Sequence, residues 1–252
     1  MYDYDTGYRP SMSEHALSFG AVAERYDRYR PRYAEAAIVW ATAERPLRVA
    51  DLGAGTGILS RQLAELGHEV IAIEPDDQMR RRLVTASTGV TARTGSAEEI
   101  PLPDGSVDVV VAGQAYHWFD RERALPEIAR VLRPGGVFAP MWNDADDVEW
   151  AVRYNEIIDG ARDPGDRQSD EGFGAWFSSV EVGRFPHDVW MSPQDLIALA
   201  TTRSPYLVAS PQEQKRLLDS IHRLLKEYGL LSQDQIAMPH HTEVHRAVRV
   251  SH

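Results

Sequence analysis

The feature that most constrains this chain is a glycine-rich turn that follows a short apolar segment. The turn reads Asp51-Leu-Gly-Ala-Gly-Thr-Gly57, and apolar residues recur after it at Leu59, Leu63 and Leu66. The apolar segment predicts a buried strand, and the later spacing predicts a helix. Glycines let the backbone approach a ligand closely, and the first N–H groups of a helix favour a polar or anionic partner. The sequence therefore predicts a ligand site at this turn.

An acidic residue follows the turn at the distance expected for ribose recognition. Glu74 ends the next apolar run and lies about 20 positions after Gly53. A carboxylate there accepts hydrogen bonds from the two ribose hydroxyls. The spacing is Gly-x-Gly-x-Gly, which differs from the Gly-x-Gly-x-x-Gly of dinucleotide folds and disfavours NAD. The alternative is an ordinary glycine-rich turn without a ligand.

Composition and charge exclude several kinds of function. The 252 residues suit one large α/β domain with an appended subdomain, and cysteine is absent, which removes disulfides, thiolate catalysis and cysteine-ligated zinc. No apolar run reaches the ~20 residues of a membrane span, so we expect a cytoplasmic protein that is not membrane-bound. The net charge of −11 disfavours a nucleic-acid partner and favours a small-molecule substrate. The oligomeric state is left open.

The strongest strand pattern leads into a cluster of aromatic residues. The run Val107–Ala112 is apolar apart from Asp108, which is typical of a strand at the centre of a parallel sheet. The next residues read Gly113-Gln-Ala-Tyr-His-Trp-Phe-Asp120. Ligands of open α/β sheets bind outside the carboxyl ends of the strands. We therefore expect the residues from Gln114 to Phe119 to border the site.

Five motifs occur in an order that resembles a known family. They are Asp-x-Gly-x-Gly-x-Gly, Glu74, Gly95-Ser-Ala-Glu-Glu-Ile-Pro101, Gln-Ala-x-His-Trp-Phe-Asp and Leu132-Arg-Pro-Gly-Gly136. Together they resemble the class I S-adenosylmethionine (SAM) methyltransferases of the type 11, ubiquinone/menaquinone-biosynthesis-like group. The fourth motif looks most like the branch that includes trans-aconitate methyltransferases. The resemblance covers about residues 18–145.

The resemblance implies a fold and a cofactor. The fold is α/β and Rossmann-like, with a seven-stranded, mostly parallel sheet in the order 3-2-1-4-5-7-6 and helices on both faces. The cofactor is SAM, and no metal is expected. Ser96 replaces the Asp that usually contacts the adenine amino group, so a charged contact there must come from Glu98 or be absent. The implied cofactor residues are Tyr29, Arg30, Asp51, Gly53, Ala54, Gly55, Gly57, Glu74, Pro75, Ser96, Ala97, Glu98, Gln114, Ala115 and Trp118.

The acceptor residues follow from the same aromatic edge and its neighbours. The sequence predicts an acceptor pocket that includes Tyr26, Tyr116, His117, Phe119 and Trp142. His117 is the imidazole of this cluster, and it either acts as a general base or only shapes the pocket. We expect methyl transfer to an oxygen of a small molecule, either a carboxylate, which needs no base, or a hydroxyl. The alternatives are nitrogen or carbon methylation and SAM binding without transfer.

The chain divides into three predicted parts. Residues 1–33 form an N-terminal lid, residues 34–145 form the SAM-binding core, and residues 146–252 add helices and last strands that complete the sheet and the acceptor pocket. In the third part, the pattern predicts a strand from Val180 to Trp190 and a final edge strand from Val244 to Val250. His240 and His241 lack carboxylate or cysteine partners at metal-ligand spacing, which favours a solvated segment.

Overall fold

The fold is organised around one seven-stranded sheet. In this computed structural model, which describes residues 30–159 and 172–250, the strand order is β3-β2-β1-β4-β5-β7-β6. Strands β1 to β5 are parallel, and β7 is antiparallel to both of its neighbours. The predicted topology is confirmed. The strands are β1 (Arg48–Leu52), β2 (Glu69–Ile73), β3 (Val90–Arg93), β4 (Val107–Gly113), β5 (Leu132–Ala145), β6 (Glu181–Met191) and β7 (Ile236–Val248).

Strand β4 lies inside the sheet, as its continuous apolar sequence predicts. Val109 and Val111 pack into the hydrophobic cluster on one face of the sheet, and Val110 packs into the cluster on the other. Successive strand residues point to opposite faces, so a strand covered on both sides needs an apolar residue at nearly every position. The end of β4 at Gly113 therefore delivers the following turn to the middle of the sheet edge.

Helices cover both faces of the sheet. Helices α1 and α2 contribute to one face cluster, and α4 contributes to the other. Helix α3 begins after Asp76, which caps it: Oδ1 of Asp76 accepts hydrogen bonds from the backbone N–H groups of Gln78 and Met79. The described helices are α1 (Glu35–Thr42), α2 (Ile58–Glu65), α3 (Asp77–Ala86), α4 (Arg121–Val131), α5 (Glu149–Asp159), α6 (Pro193–Ala200), α7 (Ser204–Val208) and α8 (Pro211–Glu227).

The C-terminal part of the chain adds a third packed region. Apolar residues of α5, α6 and α8 form a cluster with the outer ends of β6 and β7. Helices α6 and α8 each begin with a capping box, Ser192 with Asp195 and Ser210 with Glu213. Across residues 30–159 and 172–250, every helix is too short or too polar to cross a bilayer.

The last strand corrects one prediction. The pattern from Val244 to Val250 predicts an edge strand, but β7 begins at Ile236 and lies between β5 and β6. Its side chains are buried on both faces, since Val244 is 0% exposed in one face cluster and Ala247 is 1% exposed in the other. A strand inside a sheet that is covered on both faces must bury side chains on both faces. The edge is β6, whose predicted strand is confirmed.

Helix α4 corrects a second expectation. Pro126 predicts a regular helix that starts near that residue, but the helix begins at Arg121 and Pro126 lies inside it. Proline in that position lacks the N–H that would bond to the carbonyl of Glu122, and the helix continues with that bond missing. Asp120 occupies the N-cap position, but its side chain makes no capping hydrogen bond.

Candidate functional site

An open cleft lies at the carboxyl ends of β1, β2 and β4. Its volume is about 880 Å³, a figure that includes the open space at its mouth. Sequence analysis predicted ten of the lining residues, all but Phe119 as cofactor contacts. These ten are Asp51, Gly53, Ala54, Gly55, Glu74, Pro75, Gln114, Ala115, Trp118 and Phe119.

The glycine turn forms the floor of this cleft. Gly53 and Gly55 have φ angles of 64° and 57°, in the left-handed region that side chains disfavour. A Cβ atom on Gly53 would lie 2.8 Å from Cβ of Ala115, which is too close for any residue but glycine. A Cβ atom on Gly55 would meet no atom within 4 Å, because this part of the turn faces open space. The turn thus approaches β4 closely at one glycine and exposes backbone to the cleft at another.

Glu74 joins the end of β2 to the glycine turn. The side chain is buried, with 5% of its surface exposed. Its Oε2 accepts a hydrogen bond from Gly55 N–H at 2.8 Å, and its Oε1 accepts one from Asp76 N–H at 2.8 Å. Burial raises the pKa of the Glu74 carboxyl, and the two backbone hydrogen bonds oppose that shift. Each carboxylate oxygen keeps a second lone pair, so Glu74 holds the turn and can still accept from a ligand.

Asp51 carries an unsatisfied oxygen within the cleft lining. The residue is 1% exposed, and its Oδ2 accepts a hydrogen bond from Oγ of Ser60 at 2.6 Å. Its Oδ1 is buried and has no hydrogen-bond partner among the described residues. Burial raises the pKa of Asp51 to about 7, the Ser60 hydrogen bond lowers it, and the nearby Glu74 charge raises it further. A buried acceptor without a partner favours a ligand that brings a donor, above all a positive one.

The chain that leaves β4 forms the opposite wall. Gln114 has a φ of 55°, an uncommon value for a residue with a side chain. Its backbone N–H donates to the carbonyl of Met141, and its Nε2 donates to the carbonyl of Asn143 at 2.9 Å. Trp118, in the same wall, is 39% exposed at the mouth of the cleft.

The predicted adenine turn does not contribute to the cleft lining. Ser96 forms an isolated β-bridge with Glu99, and Ala97 is 1% exposed in the core. Oε1 of Glu98 accepts a hydrogen bond from Asp120 N–H at 3.0 Å. Gly57 is also absent from the lining, as is Arg30, which is half-buried.

The predicted acceptor residues are placed differently from one another. Tyr26 lies outside the described residues, as does the cofactor candidate Tyr29. Tyr116 is 1% exposed, does not line the cleft and packs edge-on against aromatic side chains of the core. Burial raises the pKa of its hydroxyl. Phe119 lines the cleft, whereas Trp142 is buried beside the core and does not.

His117 is exposed and lies outside the cleft lining. The indole Nε1–H of Trp142 donates to Nδ1 of His117 at 3.4 Å. An indole N–H can only donate, so Nδ1 must be the acceptor. The neutral imidazole then carries its proton on Nε2. Its ring also lies 4.7 Å from that of Trp118, centroid to centroid.

Six residues that line the cleft were not predicted from the sequence as site residues: Tyr33, Thr56, Ile58, Leu59, Met79 and Gly113. Thr56, Ile58, Leu59 and Gly113 lie within or beside the predicted turn or at the end of β4, and Met79 lies on α3, five residues after Glu74. Their position beside a predicted contact was the available signal. Tyr33 is distant in sequence, and only its place in the tyrosine- and arginine-rich segment before α1 could have indicated it.

The C-terminal histidines are engaged in structural contacts. Nδ1 of His240 bonds to the carbonyl of Met238, and burial lowers the pKa of that imidazole. His241 pairs with Asp146, and His245 pairs with the buried Glu243. Within the two described ranges, no group of three or more His, Cys, Asp or Glu residues is arranged to hold a metal ion.

This sheet order, with a glycine turn and an acidic residue at the ends of its first two strands, defines a Rossmann-like α/β enzyme that binds a nucleoside. Residues 50–139 match the model of the methyltransferase domain family. An uncharacterized methyltransferase of Mycobacterium tuberculosis is 40% identical over 241 residues, which cover 94% of this chain and 98% of that protein. The chain belongs to the class I SAM-dependent methyltransferases, and its cofactor is SAM.

Two further similarities concern a solved structure and a relative that matches half of the chain. A solved structure from Anaeromyxobacter dehalogenans, proposed to be a type II methyltransferase, is 26% identical with a TM-score of 0.66, and the match covers 89% of this chain and 100% of that one. A malonyl-[acyl-carrier protein] O-methyltransferase of Methylococcus capsulatus is 37% identical over 134 residues, about half of each chain. The trans-aconitate-like branch stays a prediction.

Proposed function

We propose that this enzyme transfers the methyl group of SAM to an oxygen of a small-molecule acceptor, and that the acceptor oxygen belongs to a carboxylate. The observation that carries the proposal is the chemistry of the cleft wall. Among the described residues, the lining contains no imidazole, amine or thiol. Its ionisable side chains are Tyr33, Asp51 and Glu74. A carboxylate is already deprotonated at neutral pH and needs no base.

The residues of the cleft fit SAM. The unsatisfied Oδ1 of Asp51 suits the α-ammonium group of the methionine moiety. Glu74 has the lone pairs to accept from the ribose hydroxyls, as its place after β2 predicts. The open space over Gly55 leaves room for a ligand against the backbone. When bound, SAM supplies an electrophilic methyl group on its sulfonium sulfur.

With Asp51 on the α-ammonium group and Glu74 on the ribose hydroxyls, both carboxylates are occupied by the cofactor. Neither carboxylate is then available to accept a proton from the acceptor. The lining residues Trp118 and Phe119 offer apolar surface, which excludes water and supports orientation of the reactants. Positioning can therefore supply much of the catalysis.

The hydrogen bond from Trp142 favours a role for His117 other than that of a base. With Nδ1 engaged as an acceptor, the neutral imidazole has a proton and no lone pair on Nε2. Such a ring donates a hydrogen bond through Nε2 but cannot accept a proton there.

One relative supports the choice of oxygen. The malonyl-[acyl-carrier protein] enzyme is an O-methyltransferase by name, and it matches about half of this chain. The support extends to the chemistry of the acceptor atom and leaves the identity of the acceptor open.

A methyl-release assay tests this proposal. The enzyme is incubated with tritium-labelled SAM and, in separate reactions, panels of carboxylic acids, alcohols and amines, and the products are then treated with mild base. Methyl esters release volatile methanol, whereas ethers and methylamines do not. With SAM kept saturating at every pH, so that the titration of Asp51 does not limit binding, we expect volatile label from carboxylic acids only, at a rate that does not rise through the ordinary histidine pKa of about 6.5. Base-stable label, or a rate that rises through that pH, contradicts a carboxylate acceptor.

A further inference from the structure

A short segment before α1 forms part of the cleft wall although it belongs to no helix or strand. Residues 31–34, here called the strap, bring Tyr33 to the cleft. A Cβ atom placed on Gly113, at the end of β4, would lie 2.5 Å from the Tyr33 hydroxyl oxygen. The strap therefore lies directly against the middle of the sheet edge, and the position of Tyr33 shapes the cleft.

The strap is held by residues that are distant in sequence. The Ala34 N–H donates to Oγ1 of Thr242 at 2.9 Å. Nδ2 of Asn143 donates to the carbonyl of Arg32 at 2.9 Å. Gln62 bonds to both the N–H and the carbonyl of Tyr33. Two of these three anchors, Thr242 and Asn143, lie on the neighbouring strands β7 and β5.

The Thr242 and Asn143 side chains form one unit. Thr242 is 0% exposed, and its hydroxyl accepts from Ala34 while it donates to Oδ1 of Asn143 at 2.6 Å. Both functions of the buried hydroxyl are therefore used. Replacing this side chain by an apolar one of the same shape would leave the buried N–H of Ala34 and the half-buried Oδ1 of Asn143 without this partner.

The same unit reaches the opposite wall of the cleft. Nε2 of Gln114 donates to the backbone carbonyl of Asn143, and Gln114 has the left-handed φ described above. Strained backbone of this kind persists only where surrounding contacts hold it. Asn143 thus contacts both the strap, through its side chain, and the strained wall residue, through its backbone.

We infer that Thr242 and Asn143 are positioning residues of the cofactor cleft. Neither lines the cleft, and each acts through residues that do. Together they fix the strap against β4, so that Tyr33 and Gln114 already stand in their binding positions before SAM arrives. Preorganised walls of this kind raise affinity because less ordering remains to be done on binding.

The test compares three variants of the full chain, with S-adenosylhomocysteine as the probe. Thr242→Val removes the hydroxyl, Thr242→Ser keeps it, and Thr202→Val is the matched control. Thr202 is also 0% exposed and uses its hydroxyl, but it bonds to the carbonyl of Leu199 and does not line the cleft. Calorimetry measures affinity, and hydrogen exchange measures the protection of the Ala34 amide in the free enzyme.

We expect Thr242→Val to weaken binding about tenfold and to speed exchange of the Ala34 amide, while Thr242→Ser restores both. Thr202→Val lowers thermal stability and leaves affinity and Ala34 protection unchanged. Asn143→Ala, which keeps the bond between Ala34 and Thr242, weakens binding as well and serves if Thr242→Val does not fold. Wild-type affinity in Thr242→Val and Asn143→Ala overturns the inference. An equal loss of affinity in Thr202→Val and Thr242→Val also overturns it.

Discussion

The two sides of the cleft are built in different ways. The glycine turn and Glu74 are fixed by neighbours in sequence, since Glu74 bonds to Gly55 and Asp76 within one βαβ unit. The opposite side depends on the strap and Gln114, which reach Thr242 and Asn143 far along the chain. The comparison teaches that the part of the site proposed to recognise the cofactor is locally encoded, whereas the opposite wall is held by residues that lie far apart in the sequence.

The largest effect on affinity is expected in the locally encoded side of the cleft, at the glycine turn. Gly53→Ala places a Cβ atom 2.8 Å from that of Ala115 at a φ of 64°, so the turn or β4 must move. We expect S-adenosylhomocysteine affinity to fall at least about 100-fold, since the backbone of the turn forms the floor of the site.

The matched control for this change is Gly67→Ala. Gly67 has a similar φ of 86°, but no atom lies within 4 Å of the position of its Cβ. That variant should lose about 1 kcal/mol of stability from the left-handed backbone and keep its affinity. Calorimetry of both variants separates the effect of the close contact with Ala115 from the effect of the left-handed backbone. Equal affinity losses in the two variants would show that backbone strain alone explains the loss in Gly53→Ala.

Glu74→Ala should give the next largest effect. The change removes the hydrogen bonds to Gly55 and Asp76 and the proposed contacts to the ribose. A hydrogen bond to a charged group is worth roughly 1.5–3 kcal/mol, or about 10- to 150-fold in affinity. Calorimetry with SAM measures this, and unchanged affinity would place the ribose away from Glu74.

Asp51 predicts a pH dependence of both binding and stability. Its folded pKa of about 7 lies above its ordinary value of 3.8, so the folded state binds more protons between these values. The free energy of unfolding of the free enzyme therefore falls as pH rises from about 4 to about 7. A ligand ammonium favours the ionised carboxylate, so S-adenosylhomocysteine affinity should rise over the upper part of this range and level off above it.

Asp51→Asn sharpens this prediction. The amide can still accept from Ser60, but it cannot ionise. The variant should be more stable than the wild-type enzyme at pH 8, by a few kcal/mol at most, and should bind weakly with no pH dependence. Thermal unfolding and calorimetry from pH 5 to 8 measure both properties. A wild-type affinity that is flat across this range would contradict the role given to Asp51.

The smallest effect is expected in the opposite wall, which is held by residues that lie far apart in the sequence. Tyr33→Phe keeps the aromatic ring and the backbone bonds to Gln62, which fix the strap. If this wall contributes shape, affinity should change by less than about threefold, whereas Tyr33→Ala should weaken binding clearly. An effect of Tyr33→Phe as large as that of Glu74→Ala would show that the tyrosine hydroxyl recognises the cofactor directly.

The difference between the walls also explains what the sequence could predict. Local patterns with a direct physical meaning mark Gly53, Glu74 and the buried run of β4. Through the family resemblance, these patterns also predicted the sheet order. Nothing local to Thr242 or Ala34 marks the bond between them, because the two residues lie 208 positions apart in the sequence. The local pattern of Val244 to Val250 also missed the interior place of β7, which only the strand order implied by the resemblance predicted, because pairing on both sides is a property of its neighbours.

The aromatic edge shows a further limit of sequence reasoning. Tyr116 and Phe119 adjoin one three-residue 3-10 turn, yet the first packs in the core and the second lines the cleft. So short a turn has no periodicity from which the direction of each side chain could be derived. The pattern predicted where the aromatic residues gather and left open which of them face a ligand.

A crystal structure with S-adenosylhomocysteine tests the central claim most directly. The account predicts the ribose hydroxyls within hydrogen-bonding distance of the Glu74 carboxylate and the amino group of the ligand on Oδ1 of Asp51. It also predicts the homocysteine chain over residues 53–57, with Tyr33 and Gln114 in the positions that they occupy in the free enzyme. A ligand bound elsewhere, or a ribose without contact to Glu74 and an Asp51 Oδ1 without contact to the amino group, would contradict it.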